Sequence, residues 1–217
     1  MEAIIFDLDG TLVDSAQQIY ESVNYTRILR EFPEITHQKV REIIGLPAEH
    51  LFLDLGVSEQ EMRELILVFR ERLAELVLIE NKLFPGVIET LKHLKSEGFL
   101  IGVATSKPGA LTKLVIENSL MKPYVDYSQG TDGFPAKPNP EVIRKTIKAL
   151  GAIKALMIGD RKEDILAATA AGIPSIGIAQ SAHTEKQLLN SGASLSYHSM
   201  IELYTSIGEV KNLFGRG

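Results

Sequence analysis

Ala3-Ile4-Ile5-Phe6-Asp7-Leu8-Asp9-Gly10 is the stretch on which the reading of this chain turns. An apolar run stops there at an Asp-Leu-Asp-Gly loop. A short apolar run closed by a polar turn reads as a buried strand. Runs at 99–105, 125–128, 155–158 and 174–178 repeat the pattern, and 195–197 reads as an edge strand.

Helical spacing fills the gaps between these runs. Val87, Leu91 and Leu94 lie on one helical face, and Gly98 is suited to the C-terminal cap. Asn139 and Pro140 suit the N-cap and first position of a helix ending at Gly151. Residues 165–171 read as a helix ending at Gly172, and Thr184 with Gln187 has capping-box spacing. Strands alternating with helices predict an α/β fold, a parallel sheet covered on both faces.

The stretch 15–81 breaks the alternation. Ser58 and Glu61 have capping-box spacing before an amphipathic run that carries Leu65, Phe69, Leu73 and Val77 to about residue 78. Pro85-Gly86 marks the return. We read residues 15–81 as a small all-helical domain inserted into a core made of 1–14 and 82–217.

Composition bounds the chemistry. The 217 residues are 45% apolar and 24% charged, with a formal net charge of −5. That balance suits a globular chain and argues weakly against nucleic acid as a partner. With no cysteine, thiolate metal sites and a cysteine nucleophile are excluded. The N-terminal apolar run lacks a basic flank and is too short for a signal peptide, and no run reaches membrane-span length. The expectation is a cytoplasmic protein without membrane partners.

Polar residues stand at the carboxyl ends of the expected strands: Asp7 and Asp9, Thr105 and Ser106, then Lys137 in a loop, and Asp160 with Asp164. In an open parallel sheet, ligands bind outside those ends. Asp7 and Asp160 offer hard oxygen donors suited to Mg²⁺. Ser106 and the N–H groups at the start of the following helix suit phosphate oxygens. Lys137 supplies positive charge where a transition state accumulates negative charge. Asp9 can protonate a leaving alkoxide and then activate water. Gly10 lets backbone approach the phosphate.

Asp7-Leu-Asp-Gly-Thr-Leu-Val-Asp14 resembles the first motif of the haloacid dehalogenase superfamily. Thr105-Ser106, Lys137-Pro138 and Gly159-Asp160-Arg161-Lys162-Glu163-Asp164 resemble its second, third and fourth. The resemblance implies a Rossmann-like core with a C1-type helical cap, and an aspartyl-phosphate intermediate on Asp7. It further implies Mg²⁺ held by the Asp7 side chain, the Asp9 carbonyl and Asp160, with Asp164 orienting the metal site or Lys137. Thr105, Ser106, Gly10 and Lys137 would take the phosphate. The layout is most similar to phosphoglycolate phosphatases.

Asp9 favours phosphate esters, because a leaving halide needs no proton. The expected partner is a small phosphorylated metabolite, and the expected assembly a monomer or weak homodimer. The loop Gly45-Leu-Pro-Ala-Glu-His-Leu-Phe52 resembles the cap's substrate loop, which makes Glu49 and His50 candidate contacts. It contains no lysine for Schiff-base chemistry. A phosphosugar mutase or an inorganic pyrophosphatase would carry the same motifs. Arg161 and Lys162 read as solvated residues that raise the local positive potential.

Overall fold

β1 (Glu2–Phe6) lies at the centre of a six-stranded parallel sheet, in a computed structural model that describes residues 1–215. The strands run β3-β2-β1-β4-β5-β6, where β2 is Leu100–Ala104, β3 Tyr127–Gln129, β4 Lys154–Gly159, β5 Ser175–Ile178 and β6 Leu195–Tyr197. This is the Rossmann-like strand order. The chain leaves β1 toward one edge, then returns through β4 on the other side. The resulting switch point lies between β1 and β4, where such sheets bind ligands.

β1 works by alternation. Ile4 and Phe6 face one apolar cluster, and Ala3 and Ile5 face the other. All four are fully buried, as both-face coverage requires. Burying Phe6 contributes roughly 1.5–3 kcal/mol. Register places Phe6 beside Val103 of β2 and beside Ile158 of β4. The residues after these three positions therefore emerge on one edge.

Helices cover both faces. On the Ala3–Ile5 face lie α6 (Glu141–Leu150) and α7 (Lys162–Ala171), through Val142, Ile143, Ala167 and Ala168. On the other lie α4 (Val87–Ser96) and α5 (Gly109–Glu117). Short helices α8 (Glu185–Asn190), α9 (Met200–Thr205) and α10 (Ile207–Asn212) close the chain.

Between β1 and β2, before α4, come α1 (Ala16–Leu29), α2 (His37–Ile43) and α3 (Glu59–Ile79), with 3₁₀ turns at Ala48–Leu51 and Leu53–Leu55. The Ser58–Glu61 and Thr184–Gln187 capping boxes both form. The chain enters and leaves this helical segment side by side: Asp14 N–H donates to the Lys82 carbonyl and Phe84 N–H to the Leu12 carbonyl. Among the described residues no helix is long and apolar enough to cross a membrane.

Local boundaries shift for physical reasons. The third strand begins at Tyr127, later than the apolar pattern suggests. The Asp126 side chain accepts from Ile101 N–H and from Lys95, which holds that residue as a polar clamp. The helix expected at 165 begins at Lys162, because Asp164 folds back to accept from Arg161 N–H. Asn139 accepts from Glu141 N–H as a cap, and the helix starts at Glu141, one residue past Pro140.

Candidate active site

Asp7 follows β1 directly, and its N–H donates to the Ile158 carbonyl of β4, so its place is fixed by the sheet itself. The residue is 2% exposed. Lys137, equally enclosed, places Nζ 2.6 Å from Asp7 Oδ1 and 2.6 Å from Asp164 Oδ1, and donates to the Ala104 carbonyl. One ammonium thus ties the end of β1, the end of β2 and the start of α7.

Asp160 follows β4. Its Oδ1 accepts from Thr11 Oγ1 at 2.9 Å and its Oδ2 from Ala182 N–H at 3.3 Å. Gly10 has φ +91, and a Cβ there would lie 2.5 Å from Asp160 Oδ2. The backbone at this point must therefore be glycine, both for its conformation and for the carboxylate packed on it. Carboxylate oxygens of Asp7, Asp160 and Asp164 all lie within 4.8 Å of one another.

The electrostatics of this trio are strained. Burial pushes the Asp7 carboxyl up to about 7; Lys137 opposes this, and Asp164 and Asp9 add to it. Burial, then the charges of Asp7 and Asp164, hold Asp160 well above the usual carboxylate range. Burial alone would lower Lys137, but Asp164 and Asp7 together hold it above the ordinary lysine value. A buried carboxylate cluster with one ammonium carries surplus negative charge that a divalent cation would offset. The donor set fits such an ion: all hard oxygens, closely spaced and enclosed. Asp164 already accepts from both Lys137 and Arg161 N–H, which favours Asp7 and Asp160 as the ligands and Asp164 as support.

Asp9 points elsewhere. Its Oδ2 lies 3.1 Å from Lys107 Nζ, with both side chains under a tenth exposed. Asp9, Ser106 and Lys107 line one end of a cavity of about 350 Å³ between the sheet edge and the helical segment. Ser106 Oγ is buried there without a hydrogen-bond partner. Thr105 is tied down instead: its Oγ1 accepts from Lys107 N–H and its N–H donates to the Gln129 carbonyl. The start of α5 also differs from expectation. Gly109 N–H donates to the Asp132 carboxylate, so this end of the helix is already capped by an anion.

Glu49 lines the cavity with its residue exposed. His50 is not among the lining residues, and its Nδ1 lies 3.1 Å from the Pro47 carbonyl. Arg161 corrects its sequence reading as a solvated residue: it is 6% exposed. Its Nη1 donates to the Glu42 and Ile44 carbonyls at the end of α2, and Nε to Glu163. Gly45, at φ +83, leaves room for it; a Cβ there would meet Arg161 Cδ at 2.8 Å.

The sequence reading missed Lys107, Thr11 and this role of Arg161. Thr11 sits inside a quoted motif and Lys107 directly follows one, so proximity in sequence was the available signal. The contact of Arg161 with α2 spans more than a hundred residues and had none.

Known proteins carry the same architecture. The chain is 37% identical over 197 residues to "Probable phosphatase IndB" of Dickeya dadantii, spanning 85% of this chain and 84% of the relative. It is 30% identical over 213 residues to a phosphoglycolate phosphatase of Caulobacter vibrioides, spanning 92% and 88%. The crystal structure of a "predicted phosphatase" from Clostridium acetobutylicum superposes with a TM-score of 0.85 at 32% identity, covering 96% of this chain and 98% of that one. The family model for haloacid dehalogenase-like hydrolases matches residues 4–178, and the chain belongs to that family.

Proposed function

We propose that this protein is a Mg²⁺-dependent phosphatase that hydrolyses a small phosphate monoester through a phosphoaspartate on Asp7. The observation that carries the reading is the convergence of Lys137 on Asp7 and Asp164 beside Asp160. Phosphatase names among relatives at 30% identity or more agree with it.

Asp7 and Asp160 would hold the cation, with the Asp9 carbonyl as a further donor. When bound, the ion would neutralise phosphate charge so that an anionic nucleophile can approach. Lys137 holds Asp7 Oδ1, which orients the carboxylate and leaves Oδ2 to attack phosphorus. The P–O bond to the leaving alcohol breaks as the Asp7–phosphorus bond forms. The Asp9 carboxyl gives its proton to the departing oxygen and then, as carboxylate, takes one from the water that cleaves the phosphoaspartate. Ser106 Oγ is the free donor for a phosphoryl oxygen. Residues 15–81 would act as the cap that excludes water, turning about the paired connections at Val13 and Leu83.

Release of inorganic phosphate from p-nitrophenyl phosphate tests this. Activity should require Mg²⁺ and vanish in Asp7→Asn. Undiminished turnover by that variant would overturn the assigned nucleophile.

A further inference from the structure

The lining of the cavity is of unlike kinds. Asp9, Ser106 and Lys107 line it from the sheet edge. Its walls are apolar, with Ile19, Ile44, Leu46, Phe69, Leu73 and Leu111 among them. The charges at the sheet end are already spent on each other, since Lys107 pairs with Asp9.

Arg70, on α3, lines the same cavity and is half-buried. Its Nε is buried without a hydrogen-bond partner, and among the described residues nothing pairs with its guanidinium. Its neighbours on α3 differ. Arg63, two turns earlier on nearly the same face, is exposed and pairs with Glu59, and Arg72, whose Nε also lacks a hydrogen-bond partner, pairs with Glu75 through Nη1. A guanidinium carries five donors in a fixed fork that matches carboxylate and phosphate oxygens. Leaving one half-buried and unpaired beside apolar walls is costly unless a ligand completes it. Glu49 also borders the cavity, but its residue is exposed, so water screens its charge.

We infer that Arg70 is a specificity-determining residue that binds a second anionic group, carboxylate or phosphate, at the far end of a leaving alcohol with an apolar middle. The inference rests on the phosphatase reading above and narrows its substrate class. A cavity of about 350 Å³ accommodates such a molecule beyond the transferred phosphate.

Three matched esters test it with the full-length protein and Mg²⁺: phenyl phosphate, 4-carboxyphenyl phosphate and benzene-1,4-diyl bisphosphate. The unsubstituted ester lacks a distal anion, and the other two distinguish carboxylate from phosphate. In the unaltered protein, kcat/KM for at least one ester with a distal anion should exceed that for phenyl phosphate by about tenfold or more. In Arg70→Met the ratio should fall to near one, chiefly through KM. Arg70→Lys should keep part of the preference, which guards against a variant that fails to fold. Arg63→Ala should keep the full ratio. No preference in the unaltered protein, or a preference that survives in Arg70→Met, would overturn the inference. Failure of all three esters to release phosphate would instead strike the phosphatase reading itself.

Discussion

Lys137 Nζ stands 2.6 Å from Asp7 Oδ1, in a pocket where both side chains are almost wholly enclosed. That single cation faces three carboxylates, so the pair stabilises the site only partly. Burial lifts the Asp7 carboxyl to about 7 from an unfolded value of 3.8. Between those two values the folded chain holds a proton that the unfolded chain has released. The contribution of Asp7 to the stability of the metal-free protein therefore falls as pH rises across that interval, and is constant on either side of it. Replacing Asp7 by Asn removes the buried charge and keeps the shape. Metal-free Asp7→Asn should be more stable at pH 8 by about 1–3 kcal/mol, with the gap closing near pH 4. Urea titrations at the two pH values check this; a destabilised variant at pH 8 would contradict it.

Gly10 supplies a separate handle on the proposed Mg²⁺ site. Alanine there would meet the Asp160 carboxylate at 2.5 Å in a backbone conformation that side chains disfavour. Gly10→Ala should cost roughly 1–3 kcal/mol in stability. Displacing Asp160 should also weaken Mg²⁺ by about 10–100-fold, read from activity against free Mg²⁺. In the unaltered protein, excess Mg²⁺ should raise the melting temperature and chelation should reverse the gain. A Gly10→Ala protein with unchanged Mg²⁺ dependence would show that Asp160 is not a ligand.

What the sequence disclosed follows from how far each signal reaches. Fold class was legible because β1 is a continuous apolar run that must be buried on both faces, and because Gly98, Gly151 and Gly172 take the left-handed conformation that ends helices. Asp7, Lys137, Asp160 and Asp164 could be gathered because Asp7 and Asp160 directly follow strands, Lys137 lies in the loop after β3 and Asp164 in the first turn of α7, and these positions meet on one edge of the sheet. Glu49 and His50 were harder. Both lie in one 3₁₀ turn, and its facing depends on how the helical segment packs, so only Glu49 reaches the cavity. Thr105 and Ser106 looked equivalent as adjacent hydroxyls, yet a local hydrogen bond from Lys107 N–H occupies the first alone.

Lys107 holds Asp9 at 3.1 Å, with both groups nearly inaccessible. Removing the ammonium leaves a buried carboxylate without a counter-charge. Lys107→Met should lose about 3–5 kcal/mol of stability. Asp9→Asn in the same protein should recover much of that loss, because no unpaired charge then remains. A double-mutant cycle over the two sites gives the coupling directly. Additive losses would mean that the pair contributes nothing as a pair. Turnover should also fall in Lys107→Met, by about a hundredfold, because the proposed acid, Asp9, loses the contact that holds its carboxyl in place.

Arg161 joins the loop that carries Asp160 and Asp164 to the end of α2, through the carbonyls of Glu42 and Ile44. These carbonyls sit where a helix ends, and a terminal carbonyl without a donor is left exposed to loss of order. The side chain is long enough to span the gap and is buried along its stem, so alanine would remove packing as well as hydrogen bonds. Arg161→Ala should therefore destabilise the contact by about 1–3 kcal/mol. The effect should be local. Amide exchange should quicken across residues 37–51, while β1 and β4 keep their protection, since their ladders do not involve Arg161. If α2 closes the cavity over substrate, KM should rise together with that exchange, and kcat should change less. Unaltered exchange at 37–51 would mean that α2 is held by its apolar contacts alone, and that Arg161 serves only the loop of which it is part.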